Sequence, residues 1–200
     1  LYDNNGKASW NTTLDPNSVD DIALIQNIIR ELVNELAIDK KKIYAAGMSG
    51  GARMSSRTAC ELSEIFAAIA PVAGIQFPED CTPSRAMPVI GFHGEEDMVN
   101  HYVQNKWSRP YWKKGVEDSL AGWVKHNECS QEPLTEKISD MVTKRTWKNC
   151  KNAVEVVFYK IEDGGHTWPG SPIILTNPWS GKTSKDIIAS ELIWEFFKKH

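Results

Sequence analysis

The chain lacks any run of about 20 apolar residues, the length a helix needs to cross a bilayer. It also lacks a basic tract. Its 23 lysines and arginines face 26 aspartates and glutamates, a net charge of −3, so there is no stripe of charge to track phosphates. Neither a membrane nor a nucleic acid is therefore expected as a partner, and the oligomeric state is left open. No C-x-x-C pair occurs, which makes zinc and thioredoxin-type chemistry poor readings, and no metal ligands are expected. Internal repeats and low-complexity segments are absent. The first residue is Leu1 rather than Met, and no charged-plus-apolar leader stands at the front, so a signal peptide is either absent or already removed. What is present is 41% hydrophobic and 24% charged over 200 residues, a balance that excludes a disordered tail or a fibre and fits one globular domain.

Cys60, Cys81, Cys129 and Cys150 allow three pairings. The economical one joins neighbours, Cys60 to Cys81 and Cys129 to Cys150. Each would close a loop of about 20 residues and stabilise by ~3 kcal/mol in the chain-entropy account. Disulfides imply an oxidising compartment; four free buried thiols are the other reading. Asn11-Thr12-Thr13 is a sequon that permits N-glycosylation in a eukaryotic source.

Residues 1–16 are polar and read as loop. From Ser18, the residues Val19, Ile22, Ile25, Ile29, Leu32, Val33 and Leu36 recur at helical spacing, with Asn17 or Ser18 as N-cap. Apolar runs at Ile43–Ala46, Phe66–Val72 and Pro88–Phe92 predict buried parallel strands, and Val154–Ile161 carries the strongest β pattern. Helices are expected over about Ala52–Leu62, around Val116–Val124, and over about Ser184–Lys199 with Ile187, Ile188, Leu192, Ile193 and Phe196 inward. The polar stretch 130–152 reads as a surface excursion. Strands alternating with helices predict an α/β fold with a mostly parallel sheet and helices on both faces.

Three turns carry chemistry. Gly47-Met48-Ser49-Gly50-Gly51 fits G-x-S-x-G between a strand and a helix, the setting of a nucleophile elbow. Glycine is expected at the flanking positions because the turn is tight. Ser49 would be the nucleophile, and the Gly50 N–H, at a helix start, an oxyanion donor. The bland reading is a Gly-rich turn with Ser49 as helix N-cap. His93-Gly94-Glu95-Glu96-Asp97 follows the third strand; Asp97 can orient an imidazole, with Glu95 and Glu96 competing, or the run is a solvated acidic loop. Gly164-Gly165-His166-Thr167-Trp168-Pro169-Gly170 follows the fourth strand and offers His166 as base, or as a structural histidine, while His93 reads as a structural partner in its own loop rather than a base. The order Ser49, Asp97, His166 is the α/β-hydrolase order. Of eight tryptophans, Trp123 and Trp194 fall on apolar helix faces and read as core. Trp168, two residues past His166, is the candidate for lining a substrate site.

At these motifs the sequence resembles the secreted esterase family that groups polyhydroxybutyrate depolymerases with feruloyl and acetylxylan esterases. The likeness is also carried by Ser18-Val19-Asp20-Asp21, Ala70-Pro71-Val72-Ala73-Gly74 and the tail from Thr183 to Trp194, nearly the whole chain from Ser18 on. The resemblance implies an α/β-hydrolase fold, Ser49 as nucleophile, His166 as base, Asp97 as orienting acid, no cofactor and an extracellular setting. Gly50 stands where the family often has asparagine, which leaves the backbone N–H unchanged.

In that family several strands precede the nucleophile, and one of their loops gives a second oxyanion N–H. Here 48 residues precede Ser49. The expectation is a single α/β-hydrolase domain over residues 1–200 that lacks its N-terminal strands, with the strand at Ile43–Ala46 as an exposed apolar edge. The expected function is a secreted serine carboxylic-ester hydrolase working through an acyl-enzyme. Its substrate would be feruloyl or acetyl esters on plant cell-wall xylan, so the partner is a polysaccharide-linked ester. The alternatives are a polyhydroxybutyrate depolymerase and an inactive carbohydrate-binding fragment of the same fold.

Overall fold

Six strands form one sheet in a computed structural model that describes residues 9–173 and 177–200. The expected loop at the front is therefore described only from residue 9; residues 1–8 lie outside it. The strands are β1 (Tyr44–Met48), β2 (Ala68–Val72), β3 (Val89–Gly94), β4 (Leu134–Lys137), β5 (Val142–Trp147) and β6 (Val156–Ile161). Their order across the sheet is β1-β2-β3-β6-β5-β4. The first four in that order run parallel, and β5 and β4 add antiparallel strands beyond β6. The α/β fold with a mostly parallel sheet is thus present.

Side chains alternate along the strands and feed two cores. Ile69, Val89, Val156 and Phe158 pack with Ala59 and Cys60 of α2 (Gly50–Glu61) and with Val116, Leu120 and Trp123 of α3 (Val116–His126). Ala68, Ala70, Ile90, Phe92, Val157 and Tyr159 point the other way, onto Ile193, Phe196 and Phe197 of α4 (Ala189–Phe197). Helices therefore cover both faces. The neighbour pairing of cysteines is present as Cys60–Cys81 and Cys129–Cys150.

Several sequence expectations need correction. The stretch 130–152 is not merely a surface excursion: β4 and β5 lie in it and extend the sheet. Helix α1 (Asp21–Glu35) is capped by Asp20, whose carboxylate accepts the Ala23 N–H, rather than by Asn17 or Ser18. Its apolar stripe is only half covered, with Leu32 and Leu36 exposed. Helix α4 starts at Ala189, not near Ser184, because the preceding backbone is bonded elsewhere. Ser184 O accepts the Gly170 N–H and Ala189 N–H donates to Pro169 O. Ile188 and Trp194 consequently face outward, at 46% and 58% exposure, while Trp123 is fully buried. The first strand ends at Met48 rather than Ala46, so it runs directly into Ser49. It is a terminal strand of the sheet, and Ala46 is exposed. Finally, the sequon amide is engaged: Asn11 Nδ2 donates to Asp15 O and Val19 O, tying the loop before α1.

Candidate active site

Strands β1, β3 and β6 end on the same edge of the sheet, since all run parallel and their registers chain Met48 to Val72, Val72 to Phe92 and Phe92 to Tyr159. Ser49, Asp97 and His166 each follow one of these ends. Ligand sites of open parallel sheets lie beyond such strand ends.

At the first end the chain turns from β1 into α2 within one residue. Ser49 takes φ 56° and ψ −114°, a backbone conformation that costs a β-substituted residue strain. Ser49 does occupy the N-cap position of α2, as the bland reading has it, but its side chain makes no capping bond there. Its N–H donates to Val72 O and its carbonyl accepts the Arg53 N–H, which leaves the hydroxyl out of the backbone framework. Gly47 is required by close approach: a Cβ there would sit 2.5 Å from the Gly51 carbonyl carbon. Gly51 is not so required, because a Cβ on it would meet nothing within 4 Å. The expectation of tightness thus holds on one side of the turn only. Gly50 opens α2, where the first N–H groups have no acceptor within the helix.

The second and third ends meet each other. Gly94 closes β3 so near the next loop that a Cβ on it would overlap Gly164 O. Without one, Glu95 N–H reaches Ile161 O at 2.8 Å and Glu96 N–H reaches Gly164 O at 3.0 Å. That contact delivers Asp97 to His166: Nδ1–H donates to Asp97 Oδ2 at 2.8 Å, across 69 residues of sequence. Asp97 is 2% exposed, whereas Glu95 and Glu96 are exposed and Glu95 pairs with Lys160. The acidic run therefore resolves to one buried carboxylate.

Asp97 is held from both oxygens. Its Oδ1 accepts the Val99 and Asn100 N–H groups, each at 2.8 Å. A second histidine stands beside Oδ2: His93 Nε2–H donates to Asn100 O at 2.8 Å and lies 3.3 Å from the carboxylate. Burial pushes the Asp97 carboxyl up, but the bonds from His166 and then His93, with their charge, outweigh it and hold the group well below the usual carboxylate range. With Nδ1 donating, the neutral His166 ring presents Nε2 as a proton acceptor.

Although β6 lies three strands from β1, about 14 Å at ordinary strand spacing, its loop reaches back. Thr167 and Trp168 line a cavity of about 470 Å³ together with Met48, the residue before Ser49. Trp168 is half-buried against the core that α4 covers, and its Nε1–H donates to Ser190 Oγ at 3.0 Å. The Ser49 turn and the Asp97 turn are also joined through Gly74. A Cβ at Gly74 would meet Ser49 O at 2.7 Å and Asn100 Nδ2 at 3.4 Å.

Sequence reasoning missed Asn100, which is fully buried and bonds Ala73 O through Nδ2. His93, expected as a structural partner in its loop, does bind a carbonyl of that loop. Bonds from a side chain to a distant backbone leave no periodicity or motif to read. Arg53 and Trp10, both beside Gly50, were likewise unmarked. Among the described residues no group of three or more His, Cys, Asp and Glu side chains could hold a metal ion.

Residues 8–108 match the family described as Esterase PHB depolymerase. Feruloyl esterase B of Piromyces equi is 32% identical over 167 residues, covering 79% of this chain and 31% of that protein. Probable feruloyl esterase C of Aspergillus flavus is 26% identical over 199 residues, covering 97% of this chain and 62% of that one. The chain thus spans about a third to three fifths of these relatives. Among solved structures, acetyl xylan esterase from Aspergillus awamori superposes with a TM-score of 0.59 at 13% identity over 90% of this chain and 68% of that one, a likeness of fold.

Proposed function

The chain belongs to the Esterase PHB depolymerase family, and from that premise we propose that it is a serine carboxylic-ester hydrolase. The observation that carries the reading is the buried Asp97–His166 bond, made at the strand edge that also holds a strained, uncapped Ser49.

Ser49 Oγ attacks the ester carbonyl carbon while His166 Nε2 takes its proton. Asp97 keeps the ring oriented and stabilises the imidazolium. The carbonyl oxygen gains the negative charge and is received by the Gly50 N–H at the start of α2. When the tetrahedral intermediate collapses, the C–O bond to the alcohol breaks and His166 returns the proton to the leaving oxygen. Water then repeats the sequence on the acyl-enzyme: His166 removes a proton from it, the acid departs, and Ser49 recovers its hydrogen. The apolar cavity at Trp168, lined by Met48 beside Ser49 and Thr167 beside His166, is the candidate place for the acyl group or its leaving partner.

Relatives named for feruloyl and acetylxylan esters favour acyl groups on cell-wall xylan over polyhydroxybutyrate as substrate. Two disulfides favour an oxidising compartment, in keeping with secretion, and among the described residues no helix is long and apolar enough to cross a membrane. The test is release of ferulate and acetate from xylan-derived esters, against 3-hydroxybutyrate from its polymer. Turnover of the xylan esters that vanishes in Ser49→Ala, with the fold intact by circular dichroism, is the expected result. Undiminished turnover in that variant would overturn the reading.

A further inference from the structure

The chain's buried and half-buried arginines differ in what they face. Arg57 pairs with Asp80 at 2.8 Å and with Glu61 at 3.1 Å, and Arg145 pairs with Glu117 at 2.7 Å. Arg53 has no such partner: among the described residues no carboxylate lies within ion-pair reach of it, and burial pushes its guanidinium down. Its Cζ lies over the Tyr111 ring, 4.1 Å from the centroid. Among the described residues Nη1 makes one long contact, 3.4 Å, to Asn100 Oδ1, and the buried Nε has no hydrogen-bond partner. A cation taken partly out of water is normally matched by an anion, because desolvation disfavours it otherwise.

Its position is informative. Arg53 sits on the first turn of α2, its N–H bonded to the Ser49 carbonyl. Nη2 lies 3.7 Å from where a Gly50 side chain would begin, and Trp10 Cδ1 lies 3.9 Å from the same point. Trp10 is 37% exposed, so an indole and a guanidinium flank the residue next to the nucleophile. A guanidinium receives a carboxylate through two parallel N–H bonds, and an exposed indole offers a flat apolar surface.

We propose that Arg53, backed by Tyr111 and flanked by Trp10, is a carboxylate subsite, and that the saccharide carrying the ester bears a uronic acid beside the scissile bond. The proposal deepens the esterase reading and rests on it for the identity of the ligand. The probe is a glucuronate-substituted xylo-oligosaccharide, titrated calorimetrically against the full chain carrying Ser49→Ala, beside its neutral counterpart. The acidic ligand should bind about 10- to 100-fold tighter, the span of a charge-assisted bond or two, and the preference should shrink as salt rises. Arg53→Met should abolish it, and Arg53→Lys should retain part of it, keeping charge but not the paired bonds. Equal binding of the two ligands, binding of neither, or a preference that survives in folded Arg53→Met or at high salt would overturn the proposal. Should Arg53→Met fail to fold, Arg53→Lys and the salt series decide. Fluorophosphonate reaction of the unaltered chain tests the esterase reading separately: uronate preference without labelling at Ser49 would leave the subsite standing and remove the hydrolase.

Discussion

Replacing Asp97 by Asn separates orientation from structure. The amide keeps one oxygen, and facing it towards Val99 and Asn100 preserves both 2.8 Å turn bonds. His93 keeps its bond to Asn100 O. What changes is Oδ2, which becomes an NH₂ group facing His166 Nδ1 at 2.8 Å and, less closely, His93 Nε2 at 3.3 Å. Two donors cannot share that line, so the ring accepts at Nδ1 and carries its proton on Nε2, where it can no longer take one from Ser49. The expected loss in kcat is about 10⁴, which corresponds to ~5.5 kcal/mol in the barrier at 1.36 kcal/mol per decade. Hydrolysis of p-nitrophenyl acetate measures the rate, and near-ultraviolet dichroism with thermal melting verifies the fold. A folded Asp97→Asn protein within about tenfold of the parent rate would refute the reasoning and reduce Asp97 to a turn-former.

The two glycines flanking Ser49 should behave oppositely: Gly47→Ala meets backbone at 2.5 Å and should destabilise by about 3 kcal/mol or fail to fold. Gly51→Ala meets nothing within 4 Å and should be neutral or stabilising by up to ~1 kcal/mol in α2, both read by urea titration. Because the folded Asp97 carboxyl is held below its ordinary range, its contribution to stability is complete above about pH 4 and is lost as pH falls through the folded value. Melting temperature should therefore drop less steeply between pH 4 and pH 2 in Asp97→Asn than in the parent, and parallel slopes would contradict that linkage.

The parallel half of the sheet is legible in the sequence because its strands read as apolar runs bounded by glycine, proline or lysine, and β2, β3 and β6 are buried almost throughout. The three turns are legible for the same reason, as each begins where such a run ends. Strand β4 is not, since Leu134 to Lys137 are all exposed and carry no apolar alternation, and β5 shares that polarity at Thr143 to Arg145. The start of α4 was misjudged because Ser184 to Ile188 has helical apolar spacing, yet its backbone is taken by the His166 loop. Trp194 followed the same spacing outward. The choice among Glu95, Glu96 and Asp97 needed coordinates, because burial at a turn depends on how close Gly94 and Gly164 come, and composition does not record that. The bond from Asn100 to Ala73 O and the contact from Arg53 to Asn100 join residues 27 and 47 positions apart.

The most direct test of the central claim is the site and dependence of covalent reaction with a fluorophosphonate, followed by peptide mass spectrometry. An activated serine at the β1–α2 turn predicts one adduct, on Ser49, formed by the folded parent and lost in both Ser49→Ala and His166→Ala. A folded parent that gives no adduct, or an adduct on Ser49 at the same rate without the His166 imidazole, would contradict it.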